Sequence, residues 1–288
     1  MTGVVWGLLG ASFIGVSDCV ARVTAQRVSM ALLLAAVMGL STIALTGWML
    51  ITGDWPRWHA YGWTTSAISG ILNLVALVLL YNALARGPVS VASPAASSFS
   101  VMLVGLNALA GAPFVWQQGA AIALVFFGVV MLARRGRVPD AYDAAHLRMT
   151  ALLGLSAAMV VSVRMFLAQE AGDVLGAMQA LYLNRVFALT GVSIVLAVDF
   201  IRGRPQDWPR GSMVWLVVVQ ATLETLALGS FLFGSAGAGR IGASIGFSSF
   251  AAVTALTAWV WLGEPIGWRR GFWMMVVAAG IAIAIAAA

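Results

Sequence analysis

The sequence predicts an all-α integral membrane protein of ten transmembrane helices, laid out as two inverted five-helix repeats. Three observations carry that expectation: the composition, the length and spacing of the apolar runs, and an internal duplication. Of 288 residues, 61% are hydrophobic and only 9% charged, with a mean hydropathy of +0.97. That leaves too little polar surface to cover a water-soluble globule, so the expected solvent is lipid.

A hydrocarbon core of about 30 Å requires roughly 20 apolar residues in helical conformation. Ten such spans fit in order, at residues 3–20, 30–51, 62–84, 89–109, 114–133, 149–168, 177–199, 212–234, 241–262 and 267–287. The first has no basic start and no small-residue cleavage site, so it is read as a retained helix rather than a signal peptide. Pro88, Pro113 and Pro265 stand at span starts, where a missing N–H is harmless. Pro94 lies a few residues inside span 4 and is expected to kink it, as a hinge. Most tryptophans, among them Trp48, Trp58, Trp208, Trp215 and Trp268, fall near span ends, as interfacial anchors do.

Charge and side-chain inventory exclude several classes. Cys19 is the lone cysteine, and no Cys/His cluster has metal-ligand spacing, so neither a metal nor another cofactor is expected. His59 and His146 fall between spans without a Ser/His/Asp or His/Glu constellation, which argues against a membrane-embedded enzyme. There is no phosphate-cradling loop for ATP drive. A sequence pI near 10.7 reflects arginines that read as membrane topology rather than nucleic-acid binding.

The duplication appears where Gly111-Ala112-Pro113-Phe114-Val115-Trp116-Gln117-Gln118-Gly119 opens span 5 and Gly263-Glu264-Pro265-Ile266-Gly267-Trp268-Arg269-Arg270-Gly271 opens span 10. The two share Gly, Pro, Trp and Gly in register at an offset of 152 residues, which also pairs Gly87 with Gly239 and Tyr81 with Phe233. The organisation expected is a first repeat over 1–137, a connecting loop over 138–148 and a second repeat over 149–288. Five spans per repeat force the second copy upside down, a plan common among secondary transporters.

Loop charge agrees. Arginines crowd the loops after odd-numbered spans (Arg22, Arg27, Arg86, Arg134, Arg135, Arg137, Arg148, Arg202, Arg204, Arg210, Arg269, Arg270), whereas the even loops carry Arg57 and Arg240. The positive-inside rule then puts the odd loops in the cytoplasm and both termini outside a bacterial-type inner membrane.

The stretch Tyr81-Asn82-Ala83-Leu84-Ala85-Arg86-Gly87-Pro88-Val89-Ser90-Val91-Ala92-Ser93-Pro94 resembles the junction of helices 3 and 4 in EamA-type members of the drug/metabolite transporter superfamily. Leu262-Gly263-Glu264-Pro265 and Arg185 are similar to that family's pattern as well. Two positions depart from it: Ala112 stands where the family usually has glutamate, and Ala36 stands at the place corresponding to Arg185. The resemblance implies alternating access to metabolites, amino acids or drugs, with the amino-acid exporters, aromatic ones included, as the preferred comparison. It leaves sugars, nucleobases and cationic drugs as alternative cargo. A large, neutral, aromatic central cavity is expected.

Intramembrane polar residues nominate the site. Glu224 lies mid-span 8 with Gln220 one turn before it, and Arg185 lies on span 7. Glu224 reads either as a proton or substrate-ammonium site or as the partner of Arg185 in a structural ion pair. Asp18, near the end of span 1, joins Glu224 as a coupling candidate should protons drive transport, or pairs with a loop arginine. Arg164 is expected to snorkel to the interface.

Asn73, Leu77 and Tyr81 form one stripe on span 3, fit either to line a cavity or to pack helices. Ser97, Ser98, Phe99 and Ser100 on span 4 face repeat-equivalent Phe247, Ser248, Ser249 and Phe250 on span 9. That doubled Ser/Phe patch reads as a pseudo-symmetric binding site. The expected partners are a small-molecule substrate, membrane lipid and, for coupled transport, a proton; nucleic acid is not expected, and a monomer suffices.

Overall fold

The computed structural model of the chain describes residues 2–24, 27–86, 98–133, 144–203, 207–262 and 268–286. Within them lie eleven α-helices and one 3-10 turn, and no strand. In chain order they are α1 (Thr2–Thr24), α2 (Met30–Thr52), α3 (Ala60–Arg86), α4 (Phe99–Leu109), α5 (Trp116–Ala133), α6 (Ala144–Leu175) and α7 (Ala177–Ile201). Then follow α8 (Ser212–Gly234), the 3-10 turn (Gly237–Gly239), α9 (Arg240–Phe247), α10 (Phe250–Leu262) and α11 (Trp268–Ala286).

Six helices among the described residues are long and apolar enough to cross a bilayer: α1, α2, α3, α6, α7 and α8. Their outward faces carry exposed Ile43, Ile51, Val78, Leu152, Ile194 and Trp215. So much exposed aliphatic surface is at odds with water and suited to lipid tails.

Packing runs across the chain rather than along it. Helix α3 packs on α6 and α7, α1 on α8, α9 and α10, α2 on α7 and α8, α4 on α6, and α5 on α11. Leu45, Phe99, Leu103, Met165, Leu181, Phe231 and Phe247 form the central apolar cluster. A second cluster joins α5 and α11 to α1, α9 and α10, and a third joins α2 to α7 and α8.

Two predicted boundaries are revised. Span 6, drawn over 149–168, is longer: α6 continues through Glu170 and Asp173 to Leu175 and reverses into α7 through Gly176 alone. Gly176 takes φ 96, which suits glycine, and its N–H closes α6 on the Gly172 carbonyl at 2.9 Å. The two acidic residues are accommodated on the last turns because Arg240 sits against them. Span 9, expected unbroken over 241–262, is two helices. At the break Ser248 Oγ donates to the Ile245 carbonyl at 2.6 Å and Ser249 Oγ to Gly246 at 2.7 Å, serving backbone acceptors where the ladder is interrupted.

Candidate functional site

Four ionisable side chains from four helices converge in the interior. Arg185 of α7 is 3% exposed. Its Nη2 donates to the Glu224 carbonyl at 3.3 Å, and its Nη1 lies 4.0 Å from Oε2 of the same residue and 3.1 Å from the Met38 sulfur. Gln220, one turn before Glu224 on α8, donates to Glu224 Oε1 at 3.3 Å and accepts from Thr24 of α1 at 2.8 Å. Asp18 of α1 accepts from Thr254 of α10 at 3.3 Å and lies within electrostatic reach of Glu224. Arg164 of α6 is within reach of both Arg185 and Glu224.

This corrects one expectation. Arg164 does not snorkel: with α6 extended to Leu175, it sits too far from the helix end, and it turns toward the charges on α7 and α8. Asp18 is half-buried and meets Thr254. Among the described side chains, two guanidiniums stand here against two carboxylates. The Arg185–Glu224 pair expected from the sequence is present, at the long end of ion-pair range.

The guanidiniums are incompletely used. Nε of Arg164 and Nε of Arg185 are buried and find no acceptor among the described residues. An unmet charged donor in a low-dielectric interior is costly, and a carboxylate is the acceptor that such forks fit best.

An aromatic cluster adjoins the charges. Phe247 is 5.1 Å from Phe231 and 6.3 Å from Phe250, and Phe99 is 5.8 Å from Phe250, centroid to centroid. Phe13, Phe166 and Tyr182 pack against the same cluster. The doubled Ser/Phe patch thus brings its rings together, whereas its hydroxyls serve the backbone in the second copy. Ser98 is half-buried at the start of α4. On α3, Asn73 and Leu77 are half-buried. The Tyr81 side chain and the residues Pro94 and Ser97 lie outside the described residues.

A separate, neutral network was not anticipated. Asn107 of α4 donates to Gln169 Oε1 at 2.9 Å, and Gln169 donates to Ser235 Oγ at 2.9 Å and to Ser244 Oγ at 3.4 Å. Both amides are at most 1% exposed. Gln169 fell one residue beyond the span drawn for it, which hid an intramembrane amide. Toward the rim, Arg240 forks between Glu170 and Asp173, and Tyr61 of α3 donates to Glu170 Oε2 at 2.8 Å.

Comparison with known proteins fits this architecture. Residues 1–134 match the sequence profile of the EamA-like transporter family. Together with the six long apolar helices, that match marks a multi-pass membrane protein of a kind that transports small solutes. No curated protein matches the sequence. One crystal structure, described only as that of a protein, superposes with a TM-score of 0.80 over 98% of this chain and 97% of its own. At 18% identity that likeness speaks to the fold alone.

Proposed function

We propose that the chain is a secondary transporter of the inner membrane that moves amino acids, aromatic and hydrophobic ones foremost, by alternating access. The observation that carries this reading is the meeting of two unsatisfied arginine donors and two carboxylates beside a phenylalanine cluster. A free amino acid is a zwitterion with a side chain. Arg185 and Arg164 suit its carboxylate, Glu224 and Asp18 suit its ammonium, and Phe99, Phe231, Phe247 and Phe250 suit an apolar or aromatic side chain. A cationic drug would meet the same carboxylates but also two guanidiniums, which disfavours it.

The site extends in this reading to Asn73, Leu77 and Tyr81 on α3, to Ser98 on α4 and to Ser248 at the α9–α10 break. Pro94 serves as a hinge in the first repeat. Repeats over 1–137 and 149–288, joined by 138–148, are supported by the packing. Exchanging the halves maps α3 on α6 onto α8 on α1, α4 on α6 onto α9 and α10 on α1, and α3 on α7 onto α8 on α2. The contacts of α2 with α7 and of α5 with α11 map onto themselves. Ten spans, odd loops in the cytoplasm, termini outside and export as the direction complete the proposal. Glu224 and Asp18 are the groups that would carry a coupled proton.

The test is counterflow in proteoliposomes preloaded with unlabelled phenylalanine, tryptophan or leucine and challenged with labelled tracer. Saturable tracer accumulation supports the reading. A folded protein that exchanges no member of a broad amino-acid panel rejects it.

A further inference from the structure

The geometry points to α9 as a gate: an eight-residue helix whose Arg240 latches one end of the transport path and whose Phe247 reaches the substrate site at the other. This rests on the transporter reading above. The helix is bounded on one side by the 3-10 turn, entered through Gly237 at φ 58, and on the other by the Ser248–Ser249 break. A segment with a discontinuity at each end can tilt as a unit, which a continuous span cannot.

The surface it would move on is smooth. α9 meets α1 backbone to backbone: a Cβ on Gly7 would strike the Ala243 carbonyl, and one on Gly246 would strike the Val4 carbonyl. Side chains enter the seam at Val4, against Gly242, and at Phe247, against Gly10; the rest is backbone, so the seam resists enlargement but leaves room for a small tilt.

What holds α9 is at its ends. Arg240 donates twice to Asp173 Oδ2, from Nε at 3.1 Å and from Nη2 at 2.5 Å, and also pairs with Glu170, both on the last turns of α6. The three side chains are 13%, 34% and 20% exposed, so water at the rim can take up their charges when the latch opens. Such a pair holds a closed state without trapping it, unlike a deeply buried one. One turn below, Ser244 ties α9 to Gln169 and Asn107, a second layer of closure between the rim and the charged centre. At the far end the Phe247 ring lies against Phe231 and Phe250, so a substrate side chain entering that cluster displaces the helix that carries the latch.

The experiment places a reporter cysteine at Ser244→Cys in a Cys19→Ala background. A membrane-impermeant maleimide is added to right-side-out cells and, separately, to inverted vesicles. With Arg240 intact, labelling is expected to be slow from both faces. Arg240→Gln should raise the rate about tenfold from one face only, Asp173→Asn should act in the same direction, and Arg240→Lys should fall between, keeping the charge but losing the fork. Faster labelling from both faces would mean that Arg240 merely supports the fold, and unchanged labelling would mean that it latches nothing; either result overturns the gate. Wild-type counterflow is measured on the same protein. Its absence would reject the transport reading, while the labelling result still reports on the latch.

Discussion

Helices α1 and α6 would correspond in the proposed repeats, yet they meet their neighbours in opposite ways. α1 presents Gly3, Gly7, Gly10 and Gly15 to α8, α9 and α10, so closely that a Cβ at any of them would come within 3 Å of a neighbour's atoms. α6 has Leu155, Met159, Ser162 and Leu167 at the duplication's offset, two of them facing outward, and joins α3, α4 and α9 through polar groups instead. Ser162 donates to the Phe99 carbonyl at 2.8 Å, and the Ser69 hydroxyl donates to the Arg164 carbonyl at 2.9 Å. Gln169 and Glu170 complete the row toward the rim. One seam depends on the absence of side chains and the other on their chemistry, which suits a machine in which one contact moves and its counterpart holds.

The contrast can be broken from either side. Gly7→Leu should be the most damaging change, because its first side-chain atom lands on the Ala243 carbonyl and close to the Phe247 amide; a loss of about 3 kcal/mol or more is expected, read as a collapse of the thermal transition in detergent. Gln169→Leu should cost about 2 kcal/mol by taking the nearer acceptor from the Asn107 amide and leaving it only the longer bond to Ser244, and adding Asn107→Leu should recover part of that loss, since an apolar pair carries no amide to satisfy. Glu170→Gln at the rim should cost no more than about 1 kcal/mol, as partly exposed ion pairs do. Gly105→Ala, on α4 where a Cβ meets open space, should be neutral or stabilise by about 0.5 kcal/mol through helix propensity alone. A melt in which Gly105→Ala and Gly7→Ala were equally harmful would erase the distinction between the seams.

Much of the helical plan was legible because a span needs only an apolar run of sufficient length, and α2, α7 and α8 begin and end within two residues of the spans drawn for them. The misses have physical reasons. α6 outran its span because a helix continues beyond the hydrocarbon wherever its last turns find partners, and Arg240, seventy residues away, is not visible from local sequence. The α9–α10 break was hidden because Ser248 and Ser249 read as part of a binding patch; that their hydroxyls donate to the Ile245 and Gly246 carbonyls depends on backbone geometry. At the site, Glu224 with Arg185 could be nominated from their depth in apolar runs, since charge there requires compensation. The inward turn of Arg164, the meeting of Asp18 with Thr254 and the assembly of Phe231 with Phe247 depend on tertiary contacts between helices, which local sequence does not show.

The central claim is that one site reads both charged ends of a zwitterion. Its most direct test is competition in the counterflow assay by phenylalanine, its methyl ester and phenethylamine, with wild type, Arg185→Gln and Glu224→Gln compared. Only the intact amino acid is expected to compete strongly in the wild type. Arg185→Gln should abolish the advantage of the free carboxylate and Glu224→Gln that of the ammonium. Equal competition by all three compounds, or a preference untouched by either substitution in folded protein, would contradict it.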